Sequence, residues 1–297
     1  MANAIETWDL CYRAGKSFEL RDVSLKVREG SIYGFLGPNG AGKSTTIKLL
    51  MGMLKPLSGQ IAVFGLRVPA QLPQVLAGVG YVPERPHLYP FLKVEEAMRY
   101  HAAFFPAFDL AYGLELLDMF NLPRERRING LSKGETGKLH MLLVLAQRPK
   151  LLILDEPTDG LDPVVRRDVF SALLDFCSQG STSVFISSHL VHELERICDW
   201  VGVVDKGRLV AELPMHSFKS GIKRLRVLHA PSLLGDTPFV VLLREQTTHD
   251  EIWTVRGWQS PMTQWFNGCG AELKQVIDLD LEEGFIELLR ASRTPAV

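Results

Sequence analysis

The sequence GPNGAGKST, residues 37–45, decides how this chain folds. The run before it, SIYGFL, predicts a buried strand, and the run after it, TIKLLMGML, predicts a helix. Gly37, Gly40 and Gly42 let the backbone turn so that successive N–H groups point inward at a polyphosphate. The start of the helix adds partial positive charge. The stretch therefore predicts a phosphate-binding loop between a strand and a helix.

Two side chains at the end of this loop have the chemistry of a nucleotide site. Lys43 can reach the β- and γ-phosphates, and Ser44 can offer its hydroxyl to Mg²⁺. The alternative is an ordinary glycine-rich loop with a chance Gly-Lys-Ser, and the strand–helix context argues against it. The nucleotide-contacting residues of the loop are predicted to be Gly37, Pro38, Asn39, Gly40, Ala41, Gly42, Lys43, Ser44 and Thr45. They indicate a nucleotide but not which reaction follows.

The composition limits the class of protein. A chain of 297 residues with 46% hydrophobic residues suits one large domain, or a large and a small one. The net charge of −1 gives no general attraction to nucleic acid or to anionic membranes. The four cysteines lie far apart without a Cys-x-x-Cys pair, which predicts neither a zinc site nor a disulfide framework. The longest apolar runs are too short to cross a bilayer, so a membrane role would need a partner.

A second stretch, KLLILDEPTDGLDP (residues 150–163), adds acidic groups to the predicted nucleotide site. Its apolar run LLIL is typical of a central parallel strand covered on both faces. The strand delivers Asp155 and Glu156 at its C-terminal end, where open α/β sheets bind ligands. Asp155 can hold Mg²⁺ together with Ser44, and Glu156 can polarise a water for in-line attack on the γ-phosphate. A solvated acidic pair is the alternative.

Two further residues have roles that the residue pattern alone leaves open. His189 ends the predicted strand STSVFISSHL, where it is either structural or bonds the γ-phosphate and holds the attacking water. Tyr12 lies in a strand-like run before the phosphate loop. Its ring either stacks on a purine or packs in the core.

Helix signals mark the segment between the two nucleotide stretches and the segment after them. Residues 86–147 carry apolar side chains at a spacing of three to four residues, which predicts helices. Ser132 and Glu135 are spaced as a capping box, and they predict a helix start. Asp162 and Pro163 mark the N-cap and first position of another helix.

The ordered set GPNGAGKST, GYVPE, LSKGE, LLILDEP, GLDP and SSHL resembles the nucleotide-binding subunits of ATP-binding cassette (ABC) transporters. The resemblance covers residues 5–215. The position of LSKGE just before LLILDEP separates this family from other NTPases with a phosphate loop. A GTPase would carry an Asn-Lys-x-Asp guanine reader, which the sequence lacks.

This resemblance implies an α/β fold with a P-loop NTPase (RecA-like) core, an antiparallel β subdomain and a helical subdomain. The nucleotide-binding domain is expected over residues 1–220, with the helical subdomain at about 86–147. A small C-terminal α+β module, accessory or regulatory, is expected over residues 221–297. The lysines and a predicted turn near residues 219–223 place the boundary.

The resemblance also implies roles within one subunit. Lys43, Glu156 and His189 are the expected catalytic residues, with His189 as the switch histidine. Tyr12 resembles the aromatic residue that stacks on adenine. Glu84 stands where the family usually has glutamine, and it is expected to contact Mg²⁺ and the attacking water.

Four residues are expected to act across a pair of subunits. Ser132, Gly134 and Glu135 resemble the signature segment (residues 131–135, LSKGE), which in this family binds the γ-phosphate of ATP held by the opposite subunit. Lys133 and Glu135 replace the family's usual glycine and glutamine. Asp162 resembles the residue that couples the two sites.

The implied function is an ATP-hydrolysing subunit with ATP and Mg²⁺ as cofactors. It is expected to work as a head-to-tail homodimer, or paired with a second cassette, on a separately encoded integral membrane permease. That pairing would hold it at the cytoplasmic face of the plasma membrane, with residues 85–89 near the contact. The pattern of GYVPERPHLYP and LSKGE, followed by a short C-terminal module that ends in LDLEEGFIELLR, is similar to cassettes that export a drug, antibiotic, peptide or lipid.

The alternative function is a soluble ABC protein that acts on nucleic acid or ribosomes. Such relatives generally carry paired cassettes, long coiled-coil inserts or zinc modules. The sequence has one cassette, no sustained heptads and no basic surplus, so no nucleic-acid partner is expected.

The role of the C-terminal module stays open at this level. It either regulates or stabilises a dimer, or it merely covers apolar surface. Trp253, Trp258 and Trp265 either line a pocket or form its core.

Overall fold

The structure is a computed structural model that describes residues 2–15, 18–231 and 237–294. In chain order, the strands of this part of the chain are β1 (Asn3–Ala14), β2 (Phe18–Val23), β3 (Lys26–Arg28), β4 (Ile32–Leu36), β5 (Ser58–Val63), β6 (Leu66–Val68), β7 (Val79–Val82), β8 (Leu151–Asp155), β9 (Ser183–Ser188), β10 (Trp200–Asp205), β11 (Arg208–Pro214), β12 (Ile222–Leu228), β13 (Val240–Gln246), β14 (Glu251–Arg256) and β15 (Glu272–Asp278). Its α-helices are α1 (Lys43–Leu50), α2 (Leu72–Leu76), α3 (Val94–Ala102), α4 (Leu110–Met119), α5 (Lys133–Leu145), α6 (Pro163–Ser178), α7 (Val191–Leu194), α8 (Met215–Gly221), α9 (Thr263–Cys269) and α10 (Leu281–Arg293).

The central sheet has the strand order β11-β10-β4-β9-β8-β7. All neighbours in it are parallel except the edge pair β10–β11. Every residue of β4, β8 and β9 is buried, as expected for strands covered on both faces. Leu36 is in register with Ser188, and Asp155 with Ser187. The ends of these three strands therefore lie side by side at one edge of the sheet.

An antiparallel sheet covers one face of the central sheet. Its strand order is β2-β1-β5-β6, and β3 also pairs with β1. The apolar residues between the two sheets include Ile5, Leu20, Phe35, Ile47 and Phe185, all fully buried. Because α1 contributes to this core, the N-terminal hairpin is packed directly against the phosphate-loop helix.

The opposite face is covered by helices that include α3, α4, α5 and α6. Leu116, Leu139, Leu142 and Leu173 are fully buried in one apolar cluster there. Helix α5 packs on α4, on α6 and on β7, so it connects the helical segment to the central sheet. None of the helices in the described part of the chain combines the length and apolar character needed to cross a bilayer.

The C-terminal residues form a separate antiparallel sheet of order β13-β14-β12-β15. Trp253 is fully buried in its core, and Trp258 is 7% exposed. Phe239 and Phe266 complete an aromatic cluster with them, and Trp265 packs against its side. Of the two interpretations of these tryptophans, the structure therefore favours core over pocket.

The predicted turn near residues 219–223 is wrong. Helix α8 runs to Gly221, and β12 begins at the next residue. Ile222 is buried in the same cluster as Phe285 and Leu288 of α10 and Leu213 of β11. Because these apolar side chains bury one another, the chain passes from the central unit to the C-terminal sheet through packed structure.

Candidate functional site

The phosphate loop connects β4 to α1, as the sequence predicts. Gly40 and Gly42 have φ angles of 78° and 115°, which side chains other than glycine rarely adopt. A methyl group at Gly37 would stand 2.3 Å from the carbonyl oxygen of Val204. Gly40 and Gly42 are thus required by their backbone angles, and Gly37 is required because the loop lies directly on the end of β10 there.

Lys43 points its side chain back across this loop. Its ammonium donates to the carbonyl oxygens of Gly37, at 2.6 Å, and Pro38, at 3.2 Å. The same nitrogen lies 3.0 Å from Oε1 of Glu156. Only 6% of the Lys43 side chain and 9% of that of Glu156 are exposed. The ion pair is therefore nearly dry, where charge interactions are strong.

Asp155 ends β8 and contacts the hydroxyl of Ser44, which the sequence predicts to bind Mg²⁺. Its Oδ1 accepts hydrogen bonds from Ser44, at 3.0 Å, and from Ser187, at 2.8 Å. Burial raises the pKa of Asp155, the two serine hydrogen bonds lower it, and the charges of Glu156 and Glu84 raise it further. Ser187 was not predicted from the sequence. Its position two residues before His189 on β9 is the signal that could have found it.

The residues around Ser44 and Asp155 fit a magnesium ion. A hydroxyl and a carboxylate that already share a hydrogen bond can both turn their oxygens to a hard cation. Within the described residues, no group of three or more His, Cys, Asp or Glu side chains could hold a metal alone. Mg²⁺ usually takes one or two protein carboxylates and completes its shell with phosphates and water. Glu84 lines the same cavity, and its side chain is 47% exposed.

Glu156 is held from two sides. Its Oε2 lies 2.9 Å from Nδ1 of His189 and accepts the backbone N–H of the same residue at 3.3 Å. Its own backbone N–H donates to Ser187 at 3.0 Å. The φ angle of Glu156 is 49°, an unfavourable value for a residue with a side chain. Glu156 therefore adopts an unfavourable backbone conformation that places its carboxylate between Lys43 and His189.

One cavity of about 510 Å³ is lined by Lys43, Ser44, Glu84, Glu156 and His189, whereas Asp155 and Ser187 are not in its wall. Its wall also contains three residues that were not predicted, Ala14, Phe18 and Asp159. Tyr12 is absent from the wall, and its ring packs against the core of the antiparallel sheet. Phe18, from the partner strand of the same hairpin, lies beside Gly42. The structure thus brings Phe18, and not Tyr12, to the phosphate loop.

The signature segment lies outside this cavity. Ser132 caps α5 by accepting the N–H of Glu135 at 3.1 Å, and Glu135 accepts the N–H of Ser132 at 2.8 Å. This is the capping box that the sequence predicts. Gly134 packs on Val165 of α6, and the ammonium of Lys133 lies 3.9 Å from Asp159. None of the signature residues therefore lines the cavity beside the phosphate loop of its own chain.

Asp162 acts locally as the N-cap of α6. Its Oδ1 accepts the N–H groups of Val164 and Val165, both at 3.0 Å. Asp162 also lies outside the wall of the cavity described above.

A buried carboxylate, Glu193, connects the segments that follow Glu156 and precede His189. Its Oε2 accepts from the hydroxyls of Thr158, at 2.8 Å, and Ser188, at 3.3 Å. Its Oε1 lies 2.8 Å from the guanidinium of Arg166 on α6. Sequence reasoning missed this group, since its partners are distant in the sequence. Glu193 thus connects α6 to the chain segment that leads to His189.

The fold and this site define a P-loop NTPase. The family profile described as ABC transporter matches residues 20–159. The bacitracin transport ATP-binding protein BcrA of Bacillus licheniformis is 31% identical over 303 residues, 97% of this chain and 98% of that protein. The chain therefore belongs to the ATP-binding proteins of ABC transporters.

Two other similar proteins support the assignment. The Nod factor export ATP-binding protein I of Cupriavidus pinatubonensis is 35% identical over 207 residues, 68% of this chain and 63% of that protein. A solved structure described as the ATP-binding subunit of an ABC transporter is 30% identical with a TM-score of 0.66. The match covers 73% of this chain and 92% of that one. The predicted fold class is confirmed, and the chain is an ATP-binding subunit with ATPase activity.

Proposed function

We propose that this subunit hydrolyses ATP in a head-to-tail pair and so drives a separately encoded membrane permease. The observation that carries the proposal is the Glu156 carboxylate, buried between Lys43 and His189 at the end of the phosphate loop. A carboxylate held at that point can accept a proton from a water that attacks the terminal phosphate in line.

The other groups of the site position the phosphates. Lys43, once it exchanges Glu156 for the nucleotide, neutralises charge on the β- and γ-phosphates. Ser44 and Asp155, assisted by Glu84, would hold Mg²⁺, and the ion would supply electrostatic stabilisation of the phosphoryl group. The N–H groups of the phosphate loop keep the chain of phosphates in line with the base.

His189 orients Glu156 and contacts the terminal phosphate. When its Nδ1 carries the proton, that N–H donates to Oε2 of Glu156. In the imidazolium form Nε2 carries a proton as well, so it can donate to a phosphate oxygen in the cavity, whose wall includes His189. The histidine thus links the base to the phosphate in one arrangement.

The pairing of two subunits is supported by what the cavity lacks. Ser132, Gly134 and the N-terminus of α5 stand outside it, yet a capped helix start is a ready anion site. A second copy, placed head to tail, would bring its α5 to the nucleotide. Each ATP would then be held by two chains, with Asp162 at the contact between them.

The permease is proposed to dock on an aromatic patch of the helical segment, Tyr89, Phe91, Tyr100 and Phe104. These four side chains are 44% to 63% exposed. Their rings touch in series, with centroids 5.1 to 5.8 Å apart. A contiguous exposed apolar surface of this kind is typical of a protein–protein contact. Docking there would place the subunit at the cytoplasmic face of the membrane.

Export is the proposed direction of transport. The relatives named above are described as a bacitracin transport protein and a Nod factor export protein. By similarity, we propose an amphiphilic drug, antibiotic, peptide or lipid as the substrate class.

The decisive experiment compares Glu156→Gln and Lys43→Ala with the unmodified protein, measuring ATP binding, phosphate release and dimer mass with Mg²⁺ present. The Glu156→Gln protein is expected to bind ATP and form a stable dimer. Its phosphate release should be slower by a factor of at least roughly 100. The Lys43→Ala protein is expected to lose tight ATP binding and to stay monomeric. Normal phosphate release by Glu156→Gln would reject the assignment of the base.

The permease surface is tested separately. Tyr100→Ser with Phe104→Ser should abolish co-purification with the permease and leave the ATPase of the isolated subunit intact. Val240→Ser, which changes an apolar side chain 49% exposed on β13, is the matched control. Retained co-purification in the double variant would remove the patch from the interface.

A further inference from the structure

The turn between β10 and β11 lies directly beneath the phosphate loop. Gly207 donates its N–H to the carbonyl oxygen of Ala41 at 2.9 Å, and its own carbonyl accepts from Arg21 at 2.8 Å. A methyl group at Gly207 would stand 1.9 Å from the backbone oxygen of Glu19. The turn is therefore packed between the phosphate loop and the N-terminal hairpin and is hydrogen-bonded to both. Val204, at its other end, supports Gly37 as described above.

Asp205 stands between these two points of support, and α10 holds its side chain. The Asp205 carboxylate is 3% exposed. Arg293 donates to both of its oxygens, Nε to Oδ2 at 2.7 Å and Nη2 to Oδ1 at 2.9 Å. Ser292 adds a hydroxyl at 3.2 Å. The Arg293 guanidinium lowers the pKa of Asp205, so the carboxylate stays charged and paired. A two-pronged contact of this kind also fixes orientation.

The middle of α10 is fastened to the C-terminal sheet. Glu287, 1% exposed, lies 2.5 Å from Arg224 of β12 and accepts from Thr254 of β14 at 3.3 Å. Arg290, the next basic residue on the helix, pairs with Glu287 and with Glu245 of β13. Helix α10 therefore connects the C-terminal sheet, which its middle contacts, to the turn beneath the phosphate loop, which its last residues contact.

We propose that Arg293, acting through Asp205, is a positioning residue for the phosphate loop, and that the C-terminal module sets ATP affinity through this contact. Without Arg293, the buried Asp205 carboxylate would be unpaired and would draw in water or turn outward. The turn would then support Gly37 and Ala41 less firmly, and the N–H groups that hold phosphate would be less well placed. Glu156 and His189 directly follow β8 and β9 and not this turn, so the chemical step itself would be little changed.

The test uses the full chain and measures equilibrium ATP binding, steady-state ATPase and thermal unfolding. Arg293→Ala and Asp205→Asn are expected to raise the Kd and KM for ATP roughly three- to tenfold. The kcat at saturating ATP should stay within about twofold. Arg293→Lys, which keeps the charge but not the two-pronged contact, should fall between them and the unmodified protein.

Arg290→Ala is the matched control, because it removes the two ion pairs of an arginine on the same helix, with Glu287 and Glu245, without touching Asp205. Its ATP affinity should be unchanged. The double variant Arg293→Ala/Asp205→Asn should bind ATP no more weakly than Arg293→Ala alone, since both changes break one contact.

Two outcomes would overturn the proposal. If Arg293→Ala and Arg293→Lys bind ATP like the unmodified protein while unfolding at a lower temperature, the contact serves stability only. If Arg290→Ala weakens ATP binding equally, the effect is not specific to Asp205. The inference rests on the proposed role of the phosphate loop in holding ATP. Tight ATP binding by Lys43→Ala would remove that role, whereas normal binding by the Arg293 variants would remove the positioning role alone.

Discussion

Asp155, a residue of the candidate site, lowers the stability of the folded protein when its carboxylate is ionised. Its carboxylate is 2% exposed, and burial raises its pKa above the ordinary aspartate value of 3.8. A group whose pKa is raised in the folded state favours folding only while it is protonated, below that ordinary value. At neutral pH its ionised form therefore destabilises the protein.

We predict that Asp155→Asn stabilises the nucleotide-free protein at pH 7, by about 1 kcal/mol, and abolishes ATPase activity. The gain should shrink as the pH falls through the raised pKa of the aspartate in the unmodified protein. Thermal unfolding of both proteins between pH 3.5 and pH 7.5, a range in which aspartates titrate, would measure this difference in stability.

Asp109→Asn is the control of opposite sign. The N–H of Tyr112 and the guanidinium of Arg148 lower the pKa of Asp109. Its ionised form therefore stabilises the fold above pH 3.8, and that contribution is lost as the pH falls through its lowered pKa. Asp109→Asn should thus be less stable at pH 7. If Asp155→Asn were destabilised at pH 7 as well, the burial cost assigned to Asp155 would be wrong.

The sequence predicted those site residues whose position follows from strand ends. Lys43, Ser44, Asp155, Glu156 and His189 meet because parallel strands present their carboxyl ends at one edge. Phe18 could not be chosen over Tyr12 in the same way. The β1–β2 pairing shifts register between Leu10 and Tyr12, and such an irregularity changes which side chains face the cavity. The alternation of polar and apolar residues along a strand does not reveal such a register shift.

At the level of elements, the start of α5 combines a structural and a proposed chemical role. Ser132 caps the helix, and a second copy would present the same N-terminus to the partner's ATP. The two roles can be separated, because aspartate caps helices about as well as serine but carries the wrong charge for a phosphate.

We predict that Ser132→Asp unfolds within about 0.5 kcal/mol of the unmodified protein yet loses ATPase activity at least about tenfold. Ser132→Ala, which removes the cap, should cost about 1 kcal/mol of stability. Urea unfolding and phosphate release at saturating ATP measure the two effects. Normal phosphate release by Ser132→Asp would mean that this helix start meets no phosphate during turnover.

Elements were predictable where local chemistry and burial agree. The buried runs of β4 and β8, the capping box of α5 and the Asp162–Pro163 start of α6 are all found where the sequence places them. Helix α8 was missed because it is seven residues long and ends in Ser-Gly, which by itself favours a turn. Its buried Met215 and Phe218 hold it in place, and that packing is a tertiary effect.

For the whole molecule, the separation of the cavity from the signature segment predicts activity that depends on association. Each cavity is lined by Lys43, Ser44 and Glu156 but by no signature residue of its own chain. A single chain should therefore bind ATP and hydrolyse it poorly.

We predict that phosphate release per chain rises with protein concentration and then levels off when pairing is complete. Mixing the unmodified protein with excess Ser132→Asp protein, which keeps its own phosphate loop, should lower the activity per unmodified chain. Light scattering and phosphate release on the same samples would measure both quantities. A rate per chain that stays constant down to concentrations where only monomer scatters would contradict the paired mechanism.

The route of α10 has a consequence for how the protein is made. Asp205 is buried beneath Arg293, which follows it by 88 residues. While a ribosome is still adding those residues, the carboxylate is uncovered and the support under the phosphate loop is incomplete, even though the earlier strands can already fold. If Arg293 positions the phosphate loop as proposed, a nascent chain would bind ATP weakly until α10 has emerged.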